Sequence, residues 1–375
     1  MSLFSRSFRR APLALAVAVV LLAACGDDTA APAAEAASDA ARPGIRTVPE
    51  AFLTAMTPED NIDSVASWMA PDGSLLLVAT AKATDQLVVY DGGTGETLRR
   101  VGSEGSEPGQ FSRPNGIAIH GDLAFVVERD GRRVQVLRLP ALESLGFFGS
   151  EQLVKPYGLW IRPAGEGAYE LFVTDAYMAG EDEHGEDILP PLAELDRRVH
   201  RFSVRIEGDV ATGTHAGNFG DTGPEGALRV VESLWGDEAN NRLLVAEEDE
   251  SYANELKVYD LDGAYAGQVI GGEVFQAQAE GIMLRTCADG GGWWITTEQG
   301  KAGTVFHLFD RVSLAHVGAV AGTTVANTDG IWLHQAPTAA FPDGVLYAVH
   351  DDQGAVAIDW REISGALGLP ACANP

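Results

Sequence analysis

The densest run of chemically useful side chains begins at Val230: VVESLWGDEANNRLLVAEEDESYANELKVYD. Four acids in a row, Glu247, Glu248, Asp249 and Glu250, stand where the apolar run RLLVAE ends. Acids weaken a strand and repel one another, so folding alone does not account for four together. Carboxylates that converge in a small space cannot all stay ionised without a cation. Oxygen ligands without a cluster of His or Cys favour calcium over zinc or copper. The eight histidines show no metal spacing, and His334 and His350 read as strand-face residues. Serine-nucleophile, P-loop and dinucleotide fingerprints are absent from the chain.

Acids far apart in sequence meet only if a repeat positions them. From about Gly44 onward, apolar runs recur with the period of propeller blades, roughly 40–50 residues. The first run of each unit is SVASWMA, NGIAIH, YGLWIR, ESLWGD, EGIMLR and DGIWLH. A second run follows each: LLLVAT, LAFVVE, ELFVTD, RLLVAE, GWWITT and VLYAVH. Third runs follow, and weaker fourth runs. Asn115, Tyr157, Glu232, Glu280 and Asp329 are spaced 42, 75, 48 and 49 residues apart. An acidic insertion, Ala176–Arg198, explains the long gap and is expected to cap one face as a loop or a short helix over Leu192–Arg197. Six such units predict an all-β chain, a six-bladed β-propeller with four-stranded antiparallel blades. The strand that closes the last blade is expected from Arg46 to Thr54. A helical pattern occurs at Trp360–Leu367.

In a propeller the first strand of each blade lines a central channel. The residues leading into those strands are Asp63, Asn115, Tyr157, Glu232, Glu280 and Asp329. The residues leaving the second strands are Lys82, Arg129, Asp175, Glu247, Glu298 and Asp352, which fall at the same face. Nearly all are polar or charged, and the set predicts one acidic site on the axis. Asp175 and Glu298 taken singly fit ordinary strand ends. With a metal offsetting the carboxylates, Lys82, Arg129 and Tyr157 would bind an oxyanion.

Residues 1–24 read as a signal peptide: Arg6, Arg9 and Arg10 precede an apolar run that ends in Leu-Ala-Ala-Cys. The run is too short to span a membrane. Its end resembles the lipobox of bacterial lipoproteins, which implies cleavage before Cys25 and lipidation of that residue. Residues 25–43 lack large apolar side chains and read as a flexible tether, leaving 44–375 for the propeller. Loss of the three arginines moves the formal charge from −28 to −31. That surface excludes nucleic acid and leaves the lipid anchor as the only membrane contact. The expectation is a monomer anchored in the bacterial cell envelope. Cys287 and Cys372 are candidates for a disulfide that ties the C-terminal tail to a late blade.

These residues resemble the β-propeller phytases. The resemblance runs through VES…LLVAEEDE, AEGI at Ala279–Ile282, NTDGI at Asn327–Ile331, FPDGVLYAVHDDQG at Phe341–Gly354 and WREISGALGL at Trp360–Leu369. It implies calcium ions in the axial channel and direct attack of a metal-activated water on a phosphorylated small molecule such as phytate. Carried over residue by residue, Asp63, Glu232, Glu247, Glu280, Gln299 and Asp329 would ligate metal. Lys82, Arg129 and Tyr157 would contact phosphate. Glu232, Glu247 and Tyr157 would serve the chemistry, with Glu232 or Glu247 orienting the water. The chain departs from the family pattern at Ser64, Ala176, Tyr177, Gln278 and Thr323. Gly102–Leu137 also resembles an NHL repeat, which implies a binding platform. A lactonase-like metal propeller is the third reading, since such sites use Glu, Asn and Asp around calcium.

Overall fold

The computed structural model describes Arg42 and residues 44–375. The signal peptide, Cys25 and most of the tether therefore lie outside the described residues. Within them no helix is long and apolar enough to cross a membrane.

Apolar runs of four to ten residues, rich in Val, Ile, Leu and aromatics, become strands that pair in sequence order into six antiparallel sheets. Blade 1 runs from Ile62 to Val101, blade 2 from Pro114 to Phe148 and blade 3 from Pro156 to Phe219. Blade 4 runs from Leu234 to Ile270, blade 5 from Gln278 to Ala321 and blade 6 from Ile331 to Asp359. Second strands are buried on both faces, as Leu123–Glu128 is at every residue. They therefore read as unbroken apolar runs, whereas an outer strand such as Thr97–Val101 is exposed and polar. Aromatic pairs join paired strands, as Trp160 with Phe172, and inner strands of blades 4 and 6, as Trp235 with Trp332.

Closure comes from the N-terminal side, over a shorter stretch than Arg46–Thr54. Phe52 and Leu53 alone pair with Ala357 and Val356 as the fourth strand of blade 6. Ile45–Thr47 instead joins blade 5, parallel to its outer strand His316–Ala321. Pro49 lies between the two segments and has no N–H to extend a ladder. The insertion holds a shorter helical turn than Leu192–Arg197 and a hairpin besides. It forms a two-residue hairpin, Gly180–Glu181 against Asp187–Ile188, and a single 3-10 turn at Leu192–Glu194.

The helix Trp360–Leu367 is capped by Asp359, which accepts from Arg361 N–H, and stopped by Gly368 in the left-handed region. It buries Trp360 and Ile363. Beyond it Cys372 is bonded to Cys287, so the tail is fastened to blade 5.

Candidate active site

Each residue predicted to lead into an inner strand is followed by a small one: Ser64, Gly116, Gly158, Ser233, Gly281 and Gly330. These small residues line the narrow axial channel. A Cβ on Gly158 would lie 2.1 Å from the carbonyl oxygen of Glu232, and one on Gly116 2.3 Å from that of Tyr157. At four of the six junctions glycine thus lets one inner strand touch the next. Gly281 N–H donates to the Asp329 carbonyl and Gly330 N–H to that of Asp63, both at 3.1 Å. In blades 1, 2, 3 and 5 the ladder to the second strand skips at this pair of residues. A bulge there re-aims the leading side chain. Asp63, Tyr157, Glu232, Glu280 and Asp329 consequently line one axial cavity of about 30 Å³, room for only a couple of waters or ions.

One side of this cavity is a carboxylate cluster. Glu232, Glu248 and Glu280 each offer an oxygen, and the three atoms lie within 4.8 Å of one another. Glu248 Oε1 accepts from the N–H groups of Glu232 and Ser233, at 3.2 and 3.0 Å. Its Oε2 is buried without a partner. Burial, reinforced by Asp63, pushes the Glu232 carboxyl up to about 8. Burial and then the charge of Glu232 raise Glu248, while burial, Glu248 and Asp329 raise Glu280.

The other side is neutralised from within. Lys82 Nζ lies 2.8 Å from Asp63, 3.6 Å from Asp329 and 3.8 Å from Asp352. Burial works against the charge of Lys82, and these carboxylates outweigh it and push its pKa upward. Asp63 also accepts from Asn115 Nδ2 at 3.1 Å and Ser64 Oγ at 3.2 Å. Gln299 Nε2 donates to Asp329. The Tyr157 hydroxyl accepts from Arg129 at 3.3 Å and stands against Glu232. Arg129 also donates to Asp130 at 2.7 Å. Desolvation and the nearby Glu232 charge raise the Tyr157 phenol.

The sequence-predicted Lys82, Arg129, Tyr157, Asp63, Glu232, Glu280, Gln299 and Asp329 therefore share this face. Glu247 is the correction. Its carboxylate turns away from the cluster and accepts from the N–H groups of Arg229, Val230 and Asp249, at 2.9, 3.2 and 3.2 Å. It holds the segment leading into blade 4. Asp175 does the same for blade 3, accepting from Val154 and Lys155 N–H at 2.8 and 2.7 Å. Glu298 also turns aside, to His307 and Arg42. Side chains alternate along a strand, so a step of one residue changes the face. Glu247 is the last ladder partner of its strand, and the axial residue is the next one, Glu248. Lys82 and Arg129 likewise follow the strand ends Ala81 and Glu128. That offset was the available signal for Glu248.

No family model matches this chain, and no curated protein does. Among solved structures, hydrazine synthase of Kuenenia stuttgartiensis is similar at 12% identity and a TM-score of 0.46, covering 84% of this chain and 81% of the other. A streptogramin B lyase is similar at 12% identity and a TM-score of 0.46, covering 82% and 97%.

The donor set fits a hard divalent cation. It is made of carboxylate oxygens, with Glu248 Oε2 and the buried Asn115 Oδ1 both unpartnered. Such a set, edged by Lys82, Arg129 and Tyr157, can hold an oxyanion against a metal.

Proposed function

We propose that the axial face binds calcium and that the protein is a calcium-dependent phosphomonoester hydrolase of the phytase type. The observation that carries this reading is the cluster Glu232, Glu248 and Glu280, three raised carboxyls within 4.8 Å with one oxygen buried and unpaired. Glu232, Glu248 and Glu280 would hold calcium, with Asp63 and Asp329 beside them. When bound, calcium supplies an acidified water and offsets charge on the phosphoryl group.

The chain's own residues do the rest. Lys82 and Arg129 bind phosphoryl oxygens, each exchanging part of its present carboxylate contacts for the substrate. Tyr157 holds Arg129 and Glu232 in register. A cavity of about 30 Å³ is too small for a whole inositol phosphate, so only the scissile group enters and the rest stays at the mouth. A formal charge of −28 repels anionic substrates at range, which makes bound divalent ions and local cations necessary.

The test is phosphate release from phytate by the protein with calcium or with a chelator, and by Glu248→Ala. Release should need calcium and fall at least about 100-fold in the variant, as for loss of a main electrostatic stabiliser. Turnover indifferent to chelator, or intact in Glu248→Ala, would refute the reading. A lactonase-like activity is the second reading, favoured by the unpartnered neutral oxygen of Asn115 beside the acids. Cleavage of lactones and no phosphoester by the same samples would select it.

A further inference from the structure

The axial site has two halves of different make-up. Glu232, Glu248 and Glu280 form one. Asp63, Asp329 and Asp352 form the other, and the Lys82 ammonium stands among them. Asp63 lies in the first strand of blade 1, Asp329 leads into blade 6, and Asp352 follows the second strand of blade 6. One ammonium is therefore shared across the seam where the last blade meets the first.

Lys82 Nζ donates to Asp63 Oδ1 at 2.8 Å and lies 3.6 Å from Asp329 Oδ2 and 3.8 Å from Asp352 Oδ1. That Asp352 oxygen is buried and makes no hydrogen bond among the described residues. Asp63 Oδ1 also accepts from Nδ2 of Asn115, a fully buried residue whose own Oδ1 has no hydrogen-bond partner among the described residues. Three carboxylates with a neutral amide oxygen beside them are the ligand types of calcium. An ammonium can only donate, so it shares the carboxylates unevenly and brings the amide oxygen no separate partner.

Ammonium and calcium exclude each other here. Calcium takes its oxygens at about 2.3–2.6 Å, and the space beside Asp63 is already held by a like charge. The ammonium is tethered to the chain, so it is not lost on dilution or to a chelator. It is also well covered: the Lys82 side chain is 13% exposed and that of Asp63 8%. Without it, Asp63 and Asp329 would be buried charges with no cation beside them.

We propose that Lys82 stands in for a second divalent ion, so that the axial site takes one calcium, on the glutamate side, and not a pair. The inference rests on the calcium reading above. It makes the site a mixed clamp. One calcium and one ammonium hold the phosphoryl oxygens that a two-metal site holds with two ions.

Bound calcium counted by equilibrium dialysis and metal analysis tests this. The samples are wild type, Lys82→Ala, Lys82→Arg, Asp352→Asn and the double variant of Lys82→Ala with Asp352→Asn, with phosphate release from phytate measured alongside. Lys82→Ala should bind one calcium ion more than wild type, and Lys82→Arg the same number as wild type. Asp352→Asn should leave the wild-type count unchanged. In the double variant it should weaken the added ion by about 10-fold or more, as for loss of a charge-assisted contact. Equal counts in wild type and Lys82→Ala overturn the inference. So does an added ion that keeps full affinity in the double variant, since that ion answers only to overall charge. Loss of an ion in Asp352→Asn also overturns it, because calcium would then stand where Lys82 does. That outcome is read on protein that keeps its lysine, so it decides the matter even if Lys82→Ala fails to fold. The expected counts without phosphate release from any phosphoester remove the hydrolase reading and leave Lys82 as assigned. Wild type that binds no calcium overturns both.

Discussion

At the scale of residues, two neighbouring glutamates separate structure from function. Glu247 satisfies three backbone N–H groups, and Glu248 leaves an oxygen unpaired on the axis. Glu247→Ala should cost about 3 kcal/mol of stability, through unpaired buried donors, while the thermal shift with calcium persists. Glu248→Ala should lose that shift, which is about 2.7 kcal/mol at a calcium concentration 100 times Kd. Thermal unfolding with and without calcium distinguishes them, and equal behaviour of the two variants would contradict the assignment. The raised carboxyls also fix a pH dependence. Folded pKa values above the unfolded ones mean that the folded, metal-free protein holds more protons. The cluster's contribution to stability is then full below the ordinary 4.5 and is lost as pH rises toward the value near 8 at Glu232. Calcium should remove this loss and release protons as it binds. Chelated protein whose melting temperature holds or climbs between pH 5 and 8 would rule out the acid cluster as drawn.

At the scale of elements, small residues after the axial residues, glycine in four of the six blades, let the inner strands meet. Gly158→Ala would put a methyl 2.1 Å from the Glu232 carbonyl, a backbone atom that cannot swing aside. A cost of about 1–3 kcal/mol is expected from overpacking, with weaker calcium binding because Glu232 moves. Gly365→Ala is the control. It lies in the C-terminal helix with open space around its Cβ position, so it should gain about 0.5–1 kcal/mol from helix propensity. Chemical denaturation of the two variants measures both. An undisturbed calcium affinity in Gly158→Ala would show that the close approach does not set the site.

At the scale of the whole molecule, the ring is fastened at two places. Phe52–Leu53 supplies the outer strand of the last blade, and Cys287–Cys372 joins blade 5 to the tail that follows blade 6. The disulfide joins positions 85 apart in sequence. Replacing both cysteines by serine should cost about 2–4 kcal/mol. The site lies on the axis and away from this seam, so calcium binding should survive at temperatures where the variant is folded. A variant as stable as the parent under oxidising conditions would mean that the bond constrains only the tail.

Periodicity by itself determined the six blades, their four-stranded make-up and which residues lead into the inner strands. Asp63, Tyr157, Glu232, Glu280 and Asp329 were legible because a propeller places the same strand position of every blade at one hole. The sequence favoured Glu248 over Glu247 only through one offset, Arg129 following LAFVVE as Glu248 follows RLLVAE. Facing alternates with every residue, and only the pairing of RLLVAE with its neighbours ends the ladder at Glu247. The sequence could not divide the closing segment at Pro49, since a two-residue strand leaves no pattern. The partners of Lys82 and the meeting of Lys155 with Asp187 were decided by tertiary structure alone. Charges far apart in the chain become neighbours only after sheets twist and close, and no local preference encodes that distance.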